Sequence, residues 1–273
     1  MPTVDANISM WERNWNWENR GEDWSARWGD ASTQWFGSIL PRLHAFLPAQ
    51  TVLEIAPGFG RWTQFLLGLC NKMILVDIAE KCIDGCKKRF GDVPTISYFV
   101  NDGKSLEMVD DGSVDLIFSF DSLVHAEEDV ISAYVAQFRN KLNQDGVAFI
   151  HHSNLGAYPT YSSIYSKIYK VPKLPTLLGK LGVDNVASQW RAASMTAEKM
   201  ASLCEKNGLQ CVSQELLTWE TNYVLIDCIS VITKKESVWA RKNILVKNRS
   251  FMKEAHSLSR ISRQYGEWPK KGG

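Results

Sequence analysis

Residues 53–63, Leu-Glu-Ile-Ala-Pro-Gly-Phe-Gly-Arg-Trp-Thr, constrain the fold of this 273-residue chain more than any other stretch. Thr51, Val52 and Leu53 form a short β-prone run, and Glu54 closes it with a carboxylate. Ala56, Gly58 and Gly60 follow at two-residue steps. Small residues there let backbone approach a ligand closely, and a helix N-terminus beyond would offer free N–H groups. From Phe59 the pattern turns helical, with Trp62, Phe65, Leu66 and Leu69 on one face. A strand, a tight turn and a helix in that order read as the opening of a βαβ unit.

The chain repeats that grammar. Segment 73–77, Met-Ile-Leu-Val-Asp, is continuously apolar and ends in an acid, as expected for a strand buried on both faces. Residues 79–90 read as a helix with Cys82, Ile83, Cys86 and Phe90 inward. Strands follow at 95–100, 114–120 and 147–150, with a helix at 128–142 before the last of them. Thr196 caps a further helix, and 209–217 and 223–233 close the sheet as antiparallel strands. The expected fold is α/β, a doubly wound, Rossmann-like sheet of seven strands. Ligands gather at the carboxyl ends of such strands, where Glu54, Asp77, Asp102, Asp121 and His151 lie.

Composition narrows the class without naming a function. Apolar residues make up 45% and charged residues 22%, as in a soluble globular protein. A net charge of +1 gives no overall pull toward nucleic acid, but residues 236–273 hold nine Lys/Arg against three Glu. The six cysteines lack paired metal or redox spacing. No apolar run approaches the ~18 residues of a membrane span. The start of the chain lacks a signal peptide's basic and apolar regions, so a reducing cytoplasmic setting is expected.

The dinucleotide fingerprint G-x-G-x-x-G/A fails here, because its third glycine falls on Thr63. The spacing Glu54-x-Ala56-x-Gly58-x-Gly60 instead resembles motif I of the class I S-adenosylmethionine-dependent methyltransferases, with Ala56 in place of the first glycine. Asp77, seventeen residues past Gly60, matches the acid that holds the cofactor's ribose in that family, and Ile78 follows it. Asp102, flanked by Asn101 and Gly103, matches the position at the adenine. Phe120 and Asp121 follow the fourth strand, where the family packs the cofactor and begins its acceptor site. Asn143-Gln144-Asp145-Gly146 resembles the turn before strand five. The resemblance covers roughly residues 35–235. It implies S-adenosylmethionine as cofactor, held by Glu54, Ala56, Gly58, Gly60, Asp77, Ile78, Asn101, Asp102, Gly103 and Phe120. It also divides the chain into a Trp-rich helical segment 1–40, a methyltransferase domain 41–235 and a basic helical extension 236–273. Residues 155–193, rich in tyrosine, form an acceptor lid after strand five.

Methyl transfer needs alignment, worth roughly 7–11 kcal/mol, and for an alcohol a base worth about 10²–10⁴-fold. His125 is the candidate base, with Asp121 four residues before it as its orienting partner. His151 and His152 leave strand five in opposite directions, so one should face the site. Asn154 and Tyr158 are candidate acceptor ligands. A divalent metal between Asp121 and His151 or His152 is a weaker alternative, and no ligand spacing supports it.

Trp11, Trp15, Trp17, Trp24, Trp28 and Trp35 crowd the first segment. They pack as core, or form a stacking wall for a sugar with Arg20 and Arg27 beside it. A loose resemblance to bacterial glycan and natural-product methyltransferases leans the expected reaction toward O-methylation of a small-molecule or glycan hydroxyl. The alternatives are N-methylation of an amino sugar or amine, RNA or protein methylation, and a cofactor-binding scaffold without turnover. The basic end is expected to be dispensable for cofactor binding, serving self-association or light attachment to an acidic membrane.

Overall fold

The computed structural model describes residues 3–163, 190–219 and 224–266. Eight strands form one sheet: β1 Ala49–Ile55, β2 Cys70–Asp77, β3 Ile96–Val100, β4 Val114–Ser119, β5 Leu142–Ser153, β6 Leu209–Leu217, β7 Asp227–Lys234 and β8 Ile244–Asn248. They lie side by side as β3-β2-β1-β4-β5-β7-β6-β8. Strands β1 to β5 are parallel, β7 is antiparallel to both β5 and β6, and β8 is parallel to β6.

Helices cover the sheet on both faces. Before β1 come α1 (Val4–Ile8), α2 (Ala31–Gln34) and α3 (Leu40–Leu43), joined to 3-10 and π turns. Between strands run α4 (Thr63–Leu66), α5 (Glu80–Phe90), α6 (Glu128–Lys141) and α7 (Ala197–Lys206), and α8 (Phe251–Gly266) follows β8. Helix α6 shows why its residues adopt this state. Glu128 and Asp129 sit in its first turn and Arg139 and Lys141 in its last, matching the helix dipole. Its Val130, Ile131, Tyr134, Val135 and Phe138 recur at helical spacing and are all buried against the sheet.

Alternation along the strands divides the interior in two. Val52, Phe118 and Phe149 point toward Trp28, Trp35 and Phe251, while Leu53, Ile117 and Ile150 point toward α6 and α7. Phe118 and Phe149 stack with centroids 5.7 Å apart across neighbouring strands. Each such side chain contributes about 1.5–3 kcal/mol by leaving water.

Three expectations need correction. The sheet has eight strands rather than seven, because Ile244-Leu245-Val246 pairs with β6 from Ser213 onward. The run is too short to stand out in a basic segment that otherwise reads as helical. Strand β5 continues through the expected end at His151-His152 to Ser153, since β7 pairs with all three residues. Its other end absorbs the expected turn: the register on β4 jumps from Val114↔Leu142 to Leu116↔Val147. Helix α4 spans a single turn, although Trp62 and Leu66 are buried as the helical pattern requires. Of the expected lid, residues 164–189 lie outside the described residues. Tyr158 and Tyr161 pack against the core.

The two ends of the chain meet. Trp28 lies 5.7 Å from Phe251 of α8, ring to ring, and Thr33 donates to Ser262 at 2.9 Å. Arg42 grips Glu215 on β6 through two bonds of 2.6 and 2.8 Å, and also reaches Glu254.

Candidate functional site

Strand order reverses at β1, with β2 and β3 on one side and β4 and β5 on the other. Such a switch point leaves a gap at the carboxyl ends of the strands. A crevice of about 100 Å³ opens there, walled by Ala56, Gly58, Asp77, Ile78, Gly103, Phe120, Asp121 and His125. The turn after β1 holds Ala56, Gly58 and Gly60 at φ of 58°, 58° and 78°. Glycine is free in that region; an alanine there costs about 1–2 kcal/mol. A Cβ on Gly58 would stand 2.9 Å from the Trp17 ring, and one on Gly60 would stand 2.3 Å from Phe90. Gly58 therefore belongs to the crevice, whereas Gly60 makes room for α5.

Asp77 ends β2 with its carboxylate on the crevice wall. It accepts N–H bonds from Gly58 at 3.1 Å and Ala79 at 2.9 Å. Burial pushes its pKa up to about 6 against those donors. Two oxygens offer about four acceptor positions, so lone pairs remain for a ligand's hydroxyls. The acid, the bare backbone of Gly58 and the apolar Ile78 and Phe120 fit the ribose and adenine parts of S-adenosylmethionine. These residues could hold it.

Other members of the expected cofactor set stand back from the crevice. Glu54 is buried and accepts the Thr63 hydroxyl at 2.6 Å, anchoring α4 to β1. Burial raises its carboxyl to about 8. Asp102 is exposed and accepts N–H bonds from Lys104 and Ser105, the geometry of an Asx turn. Those N–H bonds hold its carboxyl below the usual value. Asn101 ties Ser105, Tyr134 and Gly103 together.

The acceptor side departs further from expectation. Asp121, at φ 64°, pairs with Arg61 at 2.9 Å rather than orienting His125. His125 bonds the Trp190 carbonyl through Nδ1 at 2.8 Å. A carbonyl only accepts, so Nδ1 carries the proton and Nε2 the lone pair. Burial, reinforced by Arg191, lowers the His125 pKa to about 4. His151 and His152 have no exposed surface, because β5 continues past them. His151 accepts the Asp121 N–H at 3.1 Å, meets the Phe120 ring at a tilt, stacks on Trp219 and lies 3.5 Å from Asp227. His152 bonds Ser153 and Ser230 on the far side, and burial lowers it to about 4. Asn154 is spent on the backbone of Leu225 and Ala197, and the Tyr158 hydroxyl on the Leu225 N–H. Among the described residues no three His, Cys, Asp or Glu converge as metal ligands.

A second cavity, about 530 Å³, adjoins the crevice. Five tryptophans line it: Trp11, Trp15, Trp24, Trp190 and Trp219. Trp11, Trp24, Asp121 and His125 border both spaces. The tryptophan-rich segment thus divides its labour. Trp28 and Trp35 are core, whereas Trp11, Trp17 and Trp24 roof the site. Trp17 stacks on Phe59 at 4.6 Å, Trp15 on Trp24 at 5.0 Å, and Trp11 meets Trp24 edge-on at 5.9 Å. Arg20 borders the crevice and Arg27 the second cavity.

Sequence reasoning missed the buried cations that hold roof to floor. Arg61 joins Asp121 and Ser25 and lies over the rings of Trp24 and Trp62, 5.1 and 4.4 Å from their centroids. Arg191 pairs with Asp227 at 2.9 Å under Trp219. Burial alone would raise the Asp227 carboxyl, but Arg191 and His151 outweigh it and hold it at about 2. A single arginine in a loop carries no periodic signal, so neither pair was visible in advance.

Comparison with known proteins agrees with this geometry. Residues 52–146 match the family described as Methyltransferase domain. A curated relative, phosphoethanolamine N-methyltransferase 1 of Triticum aestivum, is 29% identical over 118 residues. That match covers 41% of this chain and 24% of the wheat protein, so the chain spans about a quarter of its relative's length. A Pyrococcus horikoshii protein superposes with a TM-score of 0.53 at 17% identity, over 80% of this chain and 94% of that one. A SAM dependent methyltransferase from Archaeoglobus fulgidus gives 0.51 at 17%, over 74% and 94%. At these identities the likeness establishes the fold. The chain thus has the fold of S-adenosylmethionine-dependent methyltransferases, and the stretch that matches a methyltransferase domain, residues 52–146, carries the β1 turn, Asp77, Phe120 and Asp121 of the crevice.

Proposed function

We propose that the chain methylates a nitrogen on a small cationic acceptor seated in the tryptophan-lined cavity. The observation that carries this reading is the shared wall of the two cavities, Trp11, Trp24, Asp121 and His125. S-adenosylmethionine, when bound, supplies a methyl group already activated on a sulfonium. The chain's own residues then have to hold, align and dry the two partners. Asp77 and Gly58 would hold the ribose end, and Ile78 and Phe120 the rings.

Nitrogen is favoured over oxygen by what surrounds the acceptor. Tryptophan faces attract cations, by about 0.5–1 kcal/mol when exposed and ~2 or more when desolvated. An amine needs no base beyond solvent to lose its ammonium proton. An alcohol does, and Asp121 is engaged by Arg61 while His125 is lowered to about 4. The wheat relative is by its name an N-methyltransferase. The reading is tested by transfer of labelled methyl from S-adenosylmethionine to parallel panels of amines and sugars. Transfer to amines, with a rate that climbs with pH toward the amine's own pKa, is expected. Transfer confined to hydroxyls would overturn it.

One observation supports that second reading, O-methylation of a sugar or natural-product hydroxyl. His125, on the wall of both cavities, is held as the tautomer whose Nε2 carries the lone pair. Its signature would be a rate independent of pH above about 5 and abolished in His125→Ala.

A further inference from the structure

We propose that residues 238–249, at the β8 edge of the sheet, dock the protein on an anionic lipid surface. Half of the large apolar residues most exposed to solvent among the described residues lie in this one stretch: Val238, Trp239, Ile244, Leu245 and Val246. Val238 is 79% exposed and stands at the turn between β7 and β8. The same stretch holds Arg241, Lys242, Lys247 and Arg249 and not one acid, in a chain whose net charge is only +1. Arg241, Lys242 and Lys247 are exposed, and no carboxylate among the described residues engages them.

Apolar side chains ringed by lysine and arginine, with a tryptophan among them, are the chemistry of the lipid headgroup boundary. Each cation near such a surface contributes about 1 kcal/mol at physiological salt. Among the described residues no strand pairs with the edge of β8 away from β6, and its N–H groups would meet lipid phosphates and water at that depth. No described helix is long and apolar enough to cross a membrane, so the contact would be peripheral.

A second copy of the chain fits the edge less well. Antiparallel self-pairing centred on Leu245 sets Arg241 opposite Arg249, and shifting the centre by half a step sets Lys242 opposite Arg249. Like charges directly opposite are destabilising, and edge lysines are a common guard against such pairing. Four strands separate β8 from β1, so docking here leaves the crevice open to solvent.

The experiment is flotation of the full chain with phosphatidylcholine vesicles, with and without phosphatidylglycerol, at low and high salt. Retention on the anionic vesicles alone, lost at high salt, is expected. The Lys242→Glu, Lys247→Glu double variant should lower it by about tenfold or more, and Val238→Ser with Leu245→Ser by a comparable factor. Circular dichroism and S-adenosylmethionine affinity, unchanged in both, would establish that the variants fold. Equal retention on neutral vesicles, no retention at all, or charge-reversed protein that floats like wild type would each overturn the proposal. So would a sedimentation-velocity dimer that the Leu245→Ser change dissolves, since a second copy would then own the edge. None of these outcomes depends on methyl transfer.

Discussion

The floor and the roof of the site are built by different means. The floor is backbone: the β1 turn, the end of β2 and the turn after β3, set by parallel register and by glycine at positive φ. The roof is side chain: tryptophans from residues 11–24, with Trp190 and Trp219, held by ring contacts and by Arg61 and Arg191. Backbone geometry fixes a ligand's place without depending on how side chains pack. Aromatic packing has no register and can be retuned for a particular acceptor.

That contrast can be broken at its joint. Arg61→Met removes the cation between roof and floor and leaves the buried Asp121 carboxylate with the longer contact to Arg191 at 3.8 Å. It should cost about 3–5 kcal/mol in urea unfolding. Adding Asp121→Asn should recover much of that loss. Single and double variants of equal stability would mean the pair does not join the two halves.

Within the floor, Asp77→Asn should weaken S-adenosylmethionine by about 2 kcal/mol, roughly thirtyfold, in calorimetric titration. The pH dependence has a definite sign. Asp77 is held at about 6, above its unfolded value of 3.8. Its contribution to the stability of the free protein is therefore full below 3.8 and lost as pH rises through 6. Ribose hydroxyls donate to the ionised form, so cofactor affinity should tighten as pH climbs through 6 and then level off. The Asn variant should show no such rise.

Within the roof, Trp15 borders the second cavity and is absent from the crevice wall. Trp15→Leu should raise the acceptor's KM by about tenfold and leave the cofactor's Kd within twofold. A matched loss of both would erase the distinction. The smallest effect is expected at Asp102. Asp102→Ala removes a turn cap worth about 1 kcal/mol or less and should hardly move cofactor affinity. A tenfold loss in titration would extend the floor to the far side of that turn.

The floor was legible because it obeys rules of period and spacing. A continuous apolar run marked β2, and the two-residue steps of Ala56, Gly58 and Gly60 marked the turn. Individual roles were less legible. Glu54 and Asp102 occupy the expected positions, yet their oxygens serve Thr63 and the local backbone. His151 and His152 misled because sequence cannot tell a strand's end from a strand that antiparallel β7 prolongs. The roof was half legible: a tryptophan run announces an aromatic assembly, but helical spacing does not sort Trp28, wholly buried, from Trp24, which lines both cavities. Strand β8 was hidden in charge.

Trp17, stacked on Phe59 beside Gly58, borders the crevice, while Trp11 and Trp24 border both the crevice and the second cavity. A roof shared in this way turns the sequence of arrivals into a matter of structure. On the proposed reading, S-adenosylmethionine would enter the crevice before the acceptor fills the neighbouring space, and the spent cofactor would depart last. Initial-rate kinetics should accordingly show a compulsory order, with the demethylated product competing against S-adenosylmethionine and not against the acceptor.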